Sequence, residues 1–131
     1  MAIETENKPL DSVTVHKGVK TTLNNRGLGF YLIAESDGVL VGQLMVTKEW
    51  SDWRNREFWW IQSVYVHPDY PINNVFRKLY TEVIKLAKES EKVCGIRLYV
   101  EKNNTIAQKV YSKLGMAESN YLLFVKDWSD V

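Results

Sequence analysis

At 131 residues, with 45% hydrophobic and 25% charged side chains, the chain has the size and composition of one soluble globular domain spanning residues 1–131, and is too short for two. Its 17 Lys and Arg against 16 Asp and Glu leave a formal charge of +1, which excludes the broad basic field that binding to a phosphate backbone needs. Nucleic acid is therefore not an expected partner. No apolar run approaches the roughly 20 residues of a membrane helix, so no membrane partner is expected either.

The opening stretch, Met1–Lys8, lacks the apolar centre of a signal peptide, which makes the cytoplasm the expected location. Asp11 and Ser12 can cap a helix carrying Val15, Val19 and Leu23, ending near Asn24–Gly27. Phe30–Ala34 reads as a strand, Ser36-Asp37-Gly38 as a turn and Val39–Thr47 as a second strand, together an antiparallel hairpin. Lys48–Glu57 is polar and interrupted by Trp50 and Trp53, so it reads as a loop. Phe58–Val66 is rich in aromatic and β-branched residues and stops at His67-Pro68, because proline cannot continue a ladder.

After Pro71 the apolar residues Val75, Phe76, Leu79, Tyr80, Val83, Ile84 and Ala87 recur at three- and four-residue spacing, the pattern of an amphipathic helix reaching Glu89. Ile96, Leu98 and Val100 alternate with Arg97 and Tyr99 in a further strand, which holds the lone Cys94 near its start as a small packing residue. Asn103-Asn104-Thr105 can cap a last helix ending at Gly115, and Tyr121–Lys126 reads as a closing strand. The two histidines have no metal-ligand spacing, so no metal is expected.

Three stretches taken together carry a family likeness: the strand ending Val64-Tyr65-Val66-His67-Pro68, the loop entering a helix at Pro71–Phe76, and Asn104-x-x-Ala107-x-x-x-Tyr111-x-x-x-Gly115-Met116. They resemble the GNAT acetyltransferase superfamily from about residue 10 to residue 127. The resemblance implies an α/β (α+β) fold, with a mixed, mainly antiparallel central sheet flanked by helices. That sheet would be splayed between the strand ending near Val66 and the strand starting near Ile96. It also implies acetyl-CoA as co-substrate and a primary amine of a small molecule or peptide as acceptor.

On these positions the resemblance assigns cofactor binding to Val64, Tyr65 and Val66 through the backbone. Asn73, Asn74, Val75, Phe76 and Arg77 would contribute through the phosphate loop, and Asn104 through its side chain. Tyr111 would be the acid that protonates the departing thiolate. Pro71, Asn74 and Phe76 stand where the family has Arg or Gln, Gly, and Gly or Ala, so a non-catalytic binding or self-association module on the same fold is the alternative. The family's opening strand and part of its first helix have no counterpart in the sequence. This would leave Phe30–Ala34 as an open sheet edge and points to a homodimer.

The strand position where many relatives carry a glutamate base holds Trp60, with Gln62 nearby, and neither accepts a proton. Glu49, Trp50 and Gln62 are the candidate acceptor contacts, with Asp52 and Glu57 as further carboxylates beside the strand. Tryptophan faces also suit a cationic amine.

Overall fold

Alternating apolar residues and short turns place four strands side by side, and a computed structural model describes them within residues 11–129. The expectations about Met1–Lys8 and about an absent opening strand lie outside the described residues. The order is α1 (Ser12–Asn24), β1 (Gly29–Ser36), β2 (Val39–Ser51), β3 (Arg56–Val66), α2 (Ile72–Glu89), β4 (Val93–Leu98) and α3 (Thr105–Lys113). The strands form one sheet in the order β1-β2-β3-β4. The first two pairings are antiparallel and the last is parallel, joined by α2 as the crossover. This is the mixed, mainly antiparallel sheet with flanking helices that the sequence implied.

Asp37 and Gly38 both take positive φ, 52° and 79°, which gives the two-residue turn that matches strand twist between β1 and β2. The expected loop at Lys48–Glu57 is instead the far end of a second hairpin. β2 continues to Ser51, β3 begins at Arg56, and Lys48, Glu49, Trp50 and Ser51 pair with Trp59, Phe58, Glu57 and Arg56. The polar composition is misleading here because this end stands clear of the helices: Lys48, Glu49 and Trp50 are exposed while their backbones are fully laddered.

The core lies between the sheet and α2. Val75, Phe76, Leu79, Tyr80, Val83 and Ala87 of α2 pack onto Val41, Leu44, Val46, Trp59, Ile61 and Val66 of the strands. Gly42 has no side chain because α2 crosses closely there, and a Cβ would come within 2.6 Å of Val75 Cγ1. Trp59 belongs to this core, edge-on to Phe30 at 5.2 Å.

Two elements depart from expectation. The fourth strand starts at Val93 rather than near Ile96, extending the parallel ladder backwards to Glu57. Tyr121–Lys126 forms no strand: it has no ladder partner among the described residues, and its side chains are exposed.

Candidate active site

The site is built where β3 parts from β4. Their register runs Glu57↔Val93, Phe58↔Gly95, Trp59↔Ile96, Trp60↔Arg97 and Ile61↔Leu98, and stops. Beyond Ile61 the strand stays paired only to β2, through Tyr65↔Gln43 and Val66↔Gly42. The parting coincides with a bulge: the β2–β3 register shifts between Gln43 and Met45, and Ser63 adopts φ 51°. A bulge adds one residue to one strand and bends it. Without it, alternation after Trp59 and Ile61 would aim Ser63 at the core; with it, Val64 and Val66 face α2 and Ser63 is exposed. Residues Gln62–Val66, which include the expected Val64, Tyr65 and Val66, therefore lie beyond the β3–β4 ladder and are paired on the β2 side alone. Ser63 was missed, although a serine within an aromatic and β-branched strand is the signal that marks it.

The gap leads to the start of α2. Pro71 is the N-cap with φ −64°, makes no side-chain cap bond, and the first turn holds no acidic residue. By contrast, the Asp11 carboxylate caps α1 by accepting from Val13 N–H, and the Asn104 side chain caps α3 by accepting from Ala107 N–H at 3.1 Å. The amide of Val75 already donates to the Pro71 carbonyl at 3.1 Å, so the helix is closed from that point. Of the five expected loop amides, only those of Asn73 and Asn74 precede this first bond, and Ile72 joins them. Val75, Phe76 and Arg77 lie inside the helix ladder. A negatively charged group fits this terminus, where orphan amides and the helix dipole coincide and no side chain among the described residues caps the helix.

Phe76 does not project into that space. It is 5% exposed, stacked on Tyr80 at 6.1 Å between centroids and edge-on to Tyr111 at 5.6 Å. It links the first turn of α2 to α3. Tyr111 is half-buried, and burial pushes its phenol above the ordinary tyrosine value of 10.0. Its helix ends in a Schellman motif: Met116 N–H donates to the Tyr111 carbonyl at 3.0 Å, Gly115 N–H donates to the Ser112 carbonyl at 3.1 Å, and Gly115 takes φ +92°. Cap, motif and ring contact together fix the phenol's helix from both ends.

Tyr80, on the core face of α2, is also held above 10.0 by burial. The linkage sign follows directly. A phenol whose folded value exceeds its unfolded value contributes stability that is intact below pH 10 and falls as pH climbs through the folded value. Absorbance titration of phenolate should therefore show Tyr80 and Tyr111 ionising above pH 10, with unfolding setting in over the same alkaline range.

The opposite sheet face carries the candidate acceptor contacts. Glu49 Oε1 accepts from Trp60 Nε1 at 2.9 Å and from Arg97 Nη1 at 2.8 Å, and Gln62 Nε2 donates to Thr47 Oγ1 at 2.5 Å. Arg97 also lies over the Phe58 ring at 3.5 Å, and Trp60 stacks on Tyr99 at 4.5 Å. The structure thus brings Glu49 and Gln62 to one face. Trp50, one residue out of phase and 63% exposed, does not share it. Glu49 is already matched by Arg97, so it offers a hydrogen-bonding carboxylate rather than an unpaired charge. Among the described residues no group of His, Cys, Asp and Glu is placed to hold a metal.

A family model for the GNAT acetyltransferases matches residues 3–116. The chain belongs to the GNAT acetyltransferase family. Among solved structures it is 40% identical to one described as "a possible acetyltransferase" from Clostridium difficile 630, covering 96% of this chain and 83% of that one at a TM-score of 0.89. More distant matches share the GNAT fold. The ribosomal-protein-alanine N-acetyltransferase of Brucella melitensis biovar Abortus 2308 is 19% identical, with 86% and 79% of the two chains covered and a TM-score of 0.71. An aminoglycoside antibiotic 6'-N-acetyltransferase from Acinetobacter haemolyticus is 16% identical, with 98% and 90% covered and a TM-score of 0.74. A search of curated proteins finds no match.

Proposed function

We propose that this GNAT protein is an acetyl-CoA-dependent N-acetyltransferase that acetylates a primary amine of a small molecule or peptide by direct transfer. The observation that carries this reading is the parting of β3 from β4 beyond Ile61↔Leu98, opening towards the uncapped start of α2. Acetyl-CoA supplies the activated acetyl thioester. The residues that would hold it are Val64, Tyr65 and Val66 by backbone groups in the gap, and Ile72, Asn73 and Asn74 by first-turn amides. Arg77 adds an exposed cation one turn on. Asn104 keeps its amide nitrogen for the pantetheine arm, since its oxygen is committed to Ala107.

Tyr111 holds the proton for the departing thiolate; a phenol kept protonated by burial is suited to that task. The acceptor amine would be met by Gln62 and Glu49, with Trp50 beyond them at the hairpin end. No side chain on that face is an uncommitted base, so solvent takes the amine's proton before attack. A cytoplasmic setting and a homodimeric state belong to the same reading.

Thermal unfolding or calorimetry with acetyl-CoA tests it. At about 100 times the dissociation constant, ligand should add about 2.7 kcal/mol of stability, and activity should appear with amine acceptors as free thiol release. No stabilisation up to millimolar acetyl-CoA would overturn the enzyme reading in favour of the non-catalytic module.

A further inference from the structure

The face of the sheet turned away from α2 carries a chain of contacts that ends at the mouth of the gap. Gly95 has no side chain, and a Cβ there would come within 2.8 Å of Phe58 Cε1, so the Phe58 ring lies against β4. Arg97 covers that ring at 3.5 Å from its centroid and donates to Glu49 Oε1 at 2.8 Å. Glu49 Oε1 also accepts from the indole N–H of Trp60 at 2.9 Å, and the Trp60 ring stacks on Tyr99 at 4.5 Å and 29°. Each side chain is held by the one before it. Tyr99 directly follows Leu98, the last residue of β4 paired to β3, so its ring stands where the two strands part.

Such a row is a preorganised aromatic wall. Trp60 commits its one donor to Glu49, so what it turns to Tyr99 is a bare ring face. Tyr99 gives one face to Trp60 and is 60% exposed, which leaves the other face open. A ring already fixed in place loses little freedom when a second ring stacks on it. A cation is the other guest that a ring face attracts. Here the protein supplies its own cations: Arg97 and Arg54 both lie over Phe58, at 3.5 and 4.9 Å. Glu49 pairs with Arg97, while Arg54 has no carboxylate within ion-pair distance among the described residues. A second positive charge on the acceptor would be set against that guanidinium group, whereas a neutral ring would not.

We propose that the acceptor carries its primary amine on a short linker from a flat aromatic ring, which stacks on the open face of Tyr99 while the amine reaches the gap beside Gln62. This rests on the N-acetyltransferase reading above and narrows its acceptor to the arylalkylamines. Trp60 and Gln62 are two residues apart on one face of β3, about 7 Å by strand rise, which a ring with a two- or three-carbon linker spans. Tyr99 and Trp60 then determine specificity. Arg97 acts through Glu49 and is a positioning residue for the wall.

Steady-state acetylation of phenethylamine, cyclohexylethylamine and putrescine, beside the thermal shift with acetyl-CoA, tests this. The expected kcat/KM for phenethylamine is about tenfold above putrescine and about threefold above cyclohexylethylamine, with the differences in KM. Tyr99→Ala should bring phenethylamine down to the cyclohexyl level, and Tyr99→Phe, which keeps the ring, should retain the preference. Arg97→Gln should shrink the preference through KM, since the wall loses its support. A ring contact that served only the fold would lower the Tm of Tyr99→Ala without moving these ratios, and unmoved ratios overturn the proposal. With the acetyl-CoA stabilisation intact, equal turnover of putrescine and phenethylamine, or turnover of neither, overturns this proposal alone and leaves the N-acetyltransferase reading standing. Absence of both stabilisation and thiol release with every amine overturns the two together. Should Tyr99→Ala not fold, the wild-type order of the three amines decides alone.

Discussion

Tyr111→Phe should lower kcat by about 10²-fold or more and leave the stabilisation by acetyl-CoA unchanged. The two readouts separate because the substitution deletes one oxygen and keeps the ring. The ring is what packs edge-on to Phe76 at 5.6 Å, so neither the orientation of α3 nor the start of α2 is disturbed. The oxygen is what carries the proton. Burial holds that proton above the ordinary tyrosine value of 10.0, so at neutral pH the group is a fully loaded donor. A thiolate forming beside it would meet its proton without waiting for solvent. Steady-state kinetics beside a thermal-shift titration of the same two proteins make the comparison. Equal kcat would remove Tyr111 from acid catalysis. Lost stabilisation with unfolded-like circular dichroism would show instead that the hydroxyl holds the fold.

The elements that the sequence made legible are those whose period and punctuation agree. α2 shows apolar residues at helical spacing behind a proline, and six of them are buried as that spacing predicts. The first hairpin was signalled by Asp37-Gly38, two residues suited to positive φ, and α3 by Asn104 and Gly115 at its two ends. What escaped was decided by contacts distant in sequence. Lys48–Ser51 looks like a loop by composition, and only the cross-strand register with Arg56–Trp59 makes it a ladder. The Glu49–Arg97 pair joins residues 48 apart, and no local pattern announces it.

The same division runs through the site. The gap between β3 and β4 was implied by family likeness, but the Ser63 bulge that produces it depends on how two strands register. The phosphate loop was expected across Pro71–Phe76, whereas the helix begins at Ile72 and takes three of the five expected amides into its own ladder. Proline explains the early start: it needs no hydrogen bond at a helix terminus and arrives with its φ already set. Tyr121–Lys126 has every local mark of a strand, and a strand still needs an edge. Local propensity states what a segment suits, not where its partner is.

Phe76→Ala separates two accounts of why a bulky residue stands where the family has glycine or alanine. If the ring crowded bound phosphates, trimming it would restore the small residue, tighten acetyl-CoA binding and cost little. The structure predicts the reverse. At 5% exposure the ring is core, with Tyr80 stacked on one side and Tyr111 edge-on at another. Deleting it removes a buried aromatic and leaves a cavity, which costs about 3–5 kcal/mol. Against the 5–15 kcal/mol typical of a domain's whole stability, that is about a fifth or more, so the loss should dominate any relief at the helix start. Denaturant midpoints should fall accordingly, and kcat should fall too, because the wall that orients Tyr111 is gone. Phe76→Leu, which keeps most of the volume, should recover most of the stability but not the aromatic contact to Tyr111. Tighter binding of acetyl-CoA by Phe76→Ala with less than about 1 kcal/mol lost would place the ring at the phosphates and not in the core.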